Sequence, residues 1–128
     1  MLDEAHTIKQ LCDKYHVPLL INDRIDIALA VQAAGVHLGQ EDIPCATARK
    51  ILGENFIIGV SVHNLIETQQ AIIDGADYLG VGAIFPTNTK LDVDVLGIKV
   101  LNQICNASTI PVVGIGGINL QNKDEVIR

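Results

Sequence analysis

Phe56-Ile57-Ile58-Gly59-Val60-Ser61-Val62-His63-Asn64-Leu65-Ile66-Glu67, followed by Gly75-Ala76-Asp77-Tyr78-Leu79-Gly80-Val81, decides the fold. The runs Phe56–Val60 and Tyr78–Val81 are apolar at nearly every position and do not alternate with polar residues. That is the pattern of strands covered on both faces, as in parallel sheets. Between them, Asn64 and Glu67 have capping-box spacing, with Asn64 as N-cap and Glu67 at the third helical position. Gly75 suits the left-handed conformation that closes such a helix. The stretch therefore reads as strand, helix, strand: one βαβ unit.

Three more runs of the same kind flank it: Val17-Pro18-Leu19-Leu20-Ile21, Gly35-Val36-His37-Leu38 and Ile110-Pro111-Val112-Val113-Gly114-Ile115. Helical segments fall between them. Residues 3–15 place Ala5, Ile8, Leu11, Cys12 and Tyr15 on one stripe. Residues 25–34 are rich in Ile, Ala, Leu and Val. Pro44 opens a helix ending near Gly53. Residues 97–106 put Val100, Leu101, Ile104 and Cys105 on one face, and Asn119 is placed to cap a last helix. Strand starts at Val17, Val36, Ile57, Tyr78 and Val112 are spaced by 19, 21, 21 and 34 residues. Repetition of βα units with right-handed crossovers follows. The excess in the last interval lies in residues 82–96, a loop after a strand, where α/β proteins keep their chemistry. Two architectures fit, an open doubly wound sheet and part of a (β/α)8 barrel. No GxGxxG opens a helix and no GxxxxGK[ST] occurs, so a nucleotide-binding sheet lacks support. A whole barrel needs at least about 200 residues, so the 128 residues here predict an incomplete barrel of about five parallel strands in a single partial domain, residues 1–128.

A net charge of −6 argues against a nucleic-acid binder or a polybasic membrane module. Aromatic residues make up 3% and Trp is absent, which leaves no stacking platform for single strands. No apolar run reaches the roughly 18 residues of a membrane span, and residues 1–15 carry charges throughout, so neither a membrane segment nor a signal peptide is expected. Cys12, Cys45 and Cys105 show no metal spacing and read as small buried thiols in a reducing cytoplasm.

Polar residues at the strand ends carry the chemistry. Asn22-Asp23-Arg24 follow the first strand, Gln40-Glu41-Asp42 the second and Ser61 and His63 the third. Thr87, Thr89 and Lys90 lie in the long loop, and Gly116 and Gly117 end the fifth strand. Each has a plainer role open to it. Asp23 and Asp42 are placed to cap the next helices, His37 to be a hydrogen-bonded core histidine and Lys90 to be solvated. As a set they converge on one mouth of a parallel barrel. Two carboxylates there suit Mg²⁺, a hard ion that keeps waters. Ser61, Thr87, Thr89, Lys90 and glycine N–H groups supply phosphate donors. No nucleophilic triad is present.

The motifs Ile21-Asn22-Asp23-Arg24, Gly35-Val36-His37-Leu38-Gly39-Gln40-Glu41-Asp42-Ile43-Pro44, Gly59-Val60-Ser61-Val62-His63, Gly75–Gly82, Phe85-Pro86-Thr87-Asn88-Thr89-Lys90 and Ile110–Ile118 together resemble thiamine-phosphate synthase, over essentially the whole chain. The resemblance implies a (β/α)8 barrel that joins hydroxymethylpyrimidine diphosphate to a thiazole phosphate, with release of pyrophosphate. It implies that Asn22 contacts the pyrimidine diphosphate, that Asp23 and Asp42 bind Mg²⁺, and that Ser61 and Lys90 hold the diphosphate. Thr87, Asn88, Thr89 and the Gly117 N–H would hold the thiazole phosphate. The partners are then two small molecules, with no nucleic acid and no membrane, in the cytoplasm.

The match corresponds to family strands 3 to 7. The family's Gln-x-Arg-x-Lys motif and its last Ser-containing phosphate loop have no counterpart, and Thr-Asn-Thr-Lys replaces the commoner Thr-Pro-Thr-Lys. A sister family, the thiazole tautomerases, uses a histidine at the position of His63; Gln40-Glu41-Asp42 and Gly80-Val81-Gly82 favour the synthase. A non-catalytic barrel fragment is the third reading. Open barrel edges predict self-association.

Overall fold

The structure is a computed structural model that describes residues 1–86 and 95–127. Its element order is α1 (Leu2–Lys14), β1 (Leu20–Asn22), α2 (Ile25–Val31), β2 (Gly35–Leu38), α3 (Cys45–Leu52), β3 (Ile57–Val62), α4 (Leu65–Ile73), β4 (Tyr78–Val81), α5 (Gly97–Ala107), β5 (Val112–Gly114) and α6 (Lys123–Ile127). The five strands form one sheet in the order β1-β2-β3-β4-β5, every neighbouring pair parallel. Consecutive strands are spatial neighbours and each crossover carries a helix. This is the arrangement of five successive βα units of a (β/α)8 barrel.

The central unit forms as its residues dictate. Asn64 Oδ1 accepts from the Glu67 N–H at 2.8 Å, and Glu67 Oε1 reaches back to the His63 N–H at 2.9 Å. Gly75 closes α4 at φ +97°. Pro44 stands immediately before α3, and Gln32 ends α2 in the left-handed region.

The two faces of the sheet differ. Ile21, Val36, Leu38, Ile58, Val60, Val62, Leu79 and Val81 point to the helices and are at most 9% exposed. They meet Ile27, Ala28, Ala48, Ala71, Leu101 and Ile104 in one cluster. Register puts Leu20, Asn22, Gly35, His37, Gly59, Ser61, Tyr78, Gly80 and Val113 on the opposite face. No helix covers that face among the described residues. Leu20 is 37% and Val113 51% exposed. The expectation of strands covered on both faces is thus corrected. The runs lack alternation because the open face carries glycines, a histidine and a tyrosine rather than the charges of a solvated sheet.

Three other expectations change. The first strand does not start at Val17: Val17 is exposed, Pro18 has no N–H to give a ladder, and pairing begins at Leu20. The α1 stripe is not a buried one. Ala5 is buried, but Ile8, Leu11 and Tyr15 are exposed, and the neighbour α1 packs on is the α2 helix. Of the three thiols only Cys45 is buried; Cys12 is half-buried and Cys105 exposed.

At the end of the sheet away from the candidate site, Arg49 ties α3 to the starts of two strands. It donates to the carbonyls of Phe56 and Gly75, both at 2.6 Å, and to Asp77 Oδ2 at 2.7 Å. Asp77 Oδ2 also accepts the Ile58 N–H at 2.8 Å. Side-chain networks at this end of a βα array serve stability rather than chemistry.

Candidate functional site at the carboxyl ends of the strands

Asn22 is the last residue of β1 and is exposed on the open face. Asp23 follows it at φ +66°, its N–H held by the His37 carbonyl at 2.9 Å. That bond fastens the turn after β1 to β2. Asp23 is not the N-cap of α2: that position is Arg24, whose side chain makes no capping bond, and Asp26 Oδ1 accepts the Ile27 N–H in the first turn. Arg24 forks onto Asp26 at 2.9 and 2.7 Å, which holds the Asp26 carboxyl down at about 2.

Asp42 lies just beyond β2. It does not cap α3 either. Its Oδ2 accepts the Gly39 N–H at 2.7 Å, which closes the loop and leaves Oδ1 and further lone pairs to other partners. Both carboxylates therefore stand at the carboxyl ends of adjacent parallel strands.

His37 reports on both of them. Burial pushes its pKa down, while the charges of Asp23 and Asp42 pull it up. The ring is not a core histidine. It sits on the open face, with Nδ1 at 2.8 Å from the Tyr78 hydroxyl and Nε2 at 2.7 Å from Ser61 Oγ. Both ring nitrogens are engaged, so neither is left for a metal. Ser61 is also tied through its backbone, since Gln40 Nε2 donates to its carbonyl at 2.7 Å. His63 is exposed and pairs with Glu67 Oε1 at 2.8 Å.

Gly117 lies in the turn after β5 at φ +68°. A Cβ there would stand 2.6 Å from the carbonyl oxygens of both Phe85 and Pro86. This close approach requires glycine. It brings the β5 turn against the residues that lead into the Thr87–Lys90 motif. Phe85 N–H donates to the Gly116 carbonyl at 3.1 Å, and Leu96 N–H to the Ala83 carbonyl at 2.7 Å, so both stems of the intervening loop are anchored beyond β4. Thr87, Asn88, Thr89 and Lys90 themselves lie outside the described residues.

A cavity of about 190 Å³, lined by Leu38, Asp42, Cys45, Glu67 and Asp74 among others, lies on the helix side of β2 and β3. Asp23, His37 and Ser61 are not in its wall. Asn22, His37 and Ser61 lie on the open face, whereas Asp42, just beyond the end of β2, also borders this cavity.

Tyr78, read from the sequence only as a strand residue, meets His37, and Gln40, read there as one of the strand-end polar residues, ties its side chain to the Ser61 carbonyl. Gly59 and Gly80 were the available signals, because glycine inside a strand marks a close approach.

The sequence profile of the family described as thiamine monophosphate synthase matches residues 1–128. A thiamine-phosphate synthase from Clostridium tetani is 56% identical over 118 residues, covering 92% of this chain and 56% of that protein. One from Methanobrevibacter smithii is 52% identical over 122 residues, covering 95% of this chain and 58% of that protein. The solved structure of a thiamine phosphate pyrophosphorylase from Pyrococcus furiosus superposes with a TM-score of 0.89 at 45% identity, over 98% of this chain and 60% of that one. The chain thus spans somewhat under two thirds of the length of these relatives. With the strand order, the profile and these relatives in agreement, the chain belongs to the thiamine monophosphate synthase family.

Proposed function

We propose that this chain carries the metal and diphosphate part of a thiamine-phosphate synthase site, a transferase that joins hydroxymethylpyrimidine diphosphate to a thiazole phosphate and releases pyrophosphate. The observation that supports the reading is that Asn22, Asp23, Asp42 and Ser61 stand at or just beyond the carboxyl ends of three adjacent parallel strands. The donor set fits a hard cation. It offers carboxylate oxygens, both nitrogens of the His37 imidazole are engaged, and Asp42 Oδ1 has no hydrogen bond among the described residues while Oδ2 fixes the loop. Asp23 and Asp42 would hold Mg²⁺, which supplies neutralisation of negative charge on the departing diphosphate.

The chain's own residues do the rest. Ser61 and Lys90 hold the diphosphate, and Asn22 contacts the pyrimidine diphosphate. Thr87, Asn88, Thr89 and the Gly117 N–H hold the thiazole phosphate. The C–O bond to the diphosphate breaks, pyrophosphate leaves with the electron pair, and the thiazole nitrogen supplies the pair for the new C–N bond. No protein nucleophile is required, in keeping with a site that holds donors and carboxylates.

In the full-length enzyme, Ser61→Ala is expected to lower kcat/KM about fivefold to tenfold, because it removes one hydrogen bond worth roughly 1 kcal/mol. Steady-state kinetics of pyrophosphate release at varied Mg²⁺ test the reading. Release that needs both substrates and falls on Asp42→Asn supports it; release unaffected by Asp42→Asn overturns it. A tautomerase would release no pyrophosphate.

The 128-residue chain by itself is expected to self-associate and to form only traces of thiamine phosphate. β1 and β5 are edge strands, and Val113 and Ile115 are 51% and 62% exposed beside the second edge. Sedimentation velocity that finds a stable monomer with full turnover would contradict this.

A further inference from the structure

Three side chains on the open face are joined in a line of which the proposed function uses only Ser61. The Tyr78 hydroxyl meets His37 Nδ1 at 2.8 Å, and His37 Nε2 meets Ser61 Oγ at 2.7 Å. They come from β4, β2 and β3, so the line crosses strands rather than following one. Register pairs His37 with Gly59 and Gly59 with Tyr78. Tyr78 therefore reaches its partner two strands away by lying over Gly59, where a Cβ would overlap the phenol ring. Gly80 does the same for the imidazole: a Cβ there would stand 3.0 Å from His37 Cε1. Two glycines thus clear the space in which the line forms. Tyr78 and His37 rings lie 5.6 Å apart and tilted by 36°, so what joins them is the hydrogen bond rather than a stack.

In the relay inferred below the Tyr78 hydroxyl is taken as the donor of the first bond, and the remaining directions follow from proton inventory. Tyr78 is half-buried, and burial holds its phenol in the protonated form. Its proton finds an acceptor in Nδ1. The imidazole must then carry its own proton on Nε2, which donates to Ser61 Oγ. Ser61 has one proton, and with its oxygen already receiving from Nε2, that proton is free to point outward. The opposite tautomer would make Ser61 donate to Nε2 and turn only lone pairs toward an anion.

We propose that Tyr78 and His37 form a positioning relay that fixes the Nε2–H tautomer and so keeps the Ser61 hydroxyl a donor toward an anionic oxygen on the open face. The identity of that anion as a diphosphate rests on the function proposed above; the relay itself does not.

Histidine ¹⁵N NMR of the full 128-residue chain reads the tautomer directly, with the His37 signals identified by their loss in His37→Gln. Expected are a pyrrole-type Nε2 and a pyridine-type Nδ1 in the wild type, and loss of that single tautomer in Tyr78→Phe. A pyrrole-type Nδ1 in the wild type overturns the relay.

Binding of inorganic pyrophosphate with Mg²⁺, by titration calorimetry, reads its consequence. Tyr78→Phe should weaken binding roughly threefold to tenfold when Ser61 is present and leave it unchanged in a Ser61→Ala background, a coupling that mere structural damage would not produce. His37→Leu should weaken it similarly, and His37→Gln, which returns an N–H near the Nε2 position, should restore most of it. Equal effects of Tyr78→Phe in both backgrounds overturn the relay. If the wild-type chain binds no pyrophosphate, the diphosphate reading falls, and the tautomer then decides the relay without it.

Discussion

Gly35→Val is expected to cost this fold more than any other single change on the sheet. Gly35 opens β2 and pairs with Ile57 of β3. A Cβ at this position would overlap the Ile57 carbonyl oxygen and stand 2.7 Å from the carbonyl carbon. The obstacle is backbone, held in place by the parallel ladder, so relief requires the two strands to part. Overpacking usually costs about 1–3 kcal/mol, and here the loss is expected at or above the top of that range, from a total of about 5–15 kcal/mol for a domain. Gly53→Ala is the control. Gly53 has nothing within 4 Å of a Cβ, and only its backbone resists: φ +84° with ψ −175° is a conformation essentially reserved for glycine, at a cost of about 1–3 kcal/mol. Urea denaturation should show a large drop in midpoint for Gly35→Val and a modest one for Gly53→Ala. Equal midpoints for Gly35→Val and wild type would contradict the packing described.

Lys90→Ala carries the largest expected effect on chemistry. In the full-length enzyme it should lower single-turnover product formation on the order of 10²-fold or more, because the function proposed above gives Lys90 the leaving diphosphate, and charge stabilisation there acts chiefly in the transition state. The loss should fall mainly on the chemical step and leave binding of the thiazole phosphate little changed, since Thr87, Asn88, Thr89 and Gly117 are assigned to that phosphate. An unchanged single-turnover rate would remove Lys90 from the mechanism.

The fold was legible where several local signals coincided. For β3-α4-β4, a continuous apolar run, an Asn64–Glu67 cap and a terminal Gly75 all point to one answer, and the elements form there. The edges were less legible because an apolar stripe states what a helix could bury and not whether anything lies against it. Ile8, Leu11 and Tyr15 of α1 are such a case. Likewise Val17 read as strand from its hydrophobicity, although Pro18 and the missing ladder partner start β1 at Leu20.

The site was legible as positions and illegible as contacts. Asn22, Asp23, Asp42 and Ser61 could be placed at strand ends because strand ends follow from the apolar runs. That Asp42 closes its own loop onto Gly39 instead of capping α3 depends on backbone geometry with no periodic signature. The Tyr78–His37–Ser61 line depends on cross-strand register and on two glycines, and hydrophobic patterning is silent on register between different strands. His37 and Ser61 are 24 residues apart in sequence and 2.7 Å apart at their polar atoms.

Water-proton relaxation enhancement with Mn²⁺ as the probe for Mg²⁺, on the full 128-residue chain in the presence of inorganic pyrophosphate, tests the proposed metal site of Asp23 and Asp42 most directly. Expected is one bound Mn²⁺ that Mg²⁺ displaces, with at least tenfold weaker binding in both Asp23→Asn and Asp42→Asn. Binding that survives unchanged in both variants, or no binding in the wild type, would contradict the assignment of these two carboxylates to one hard cation.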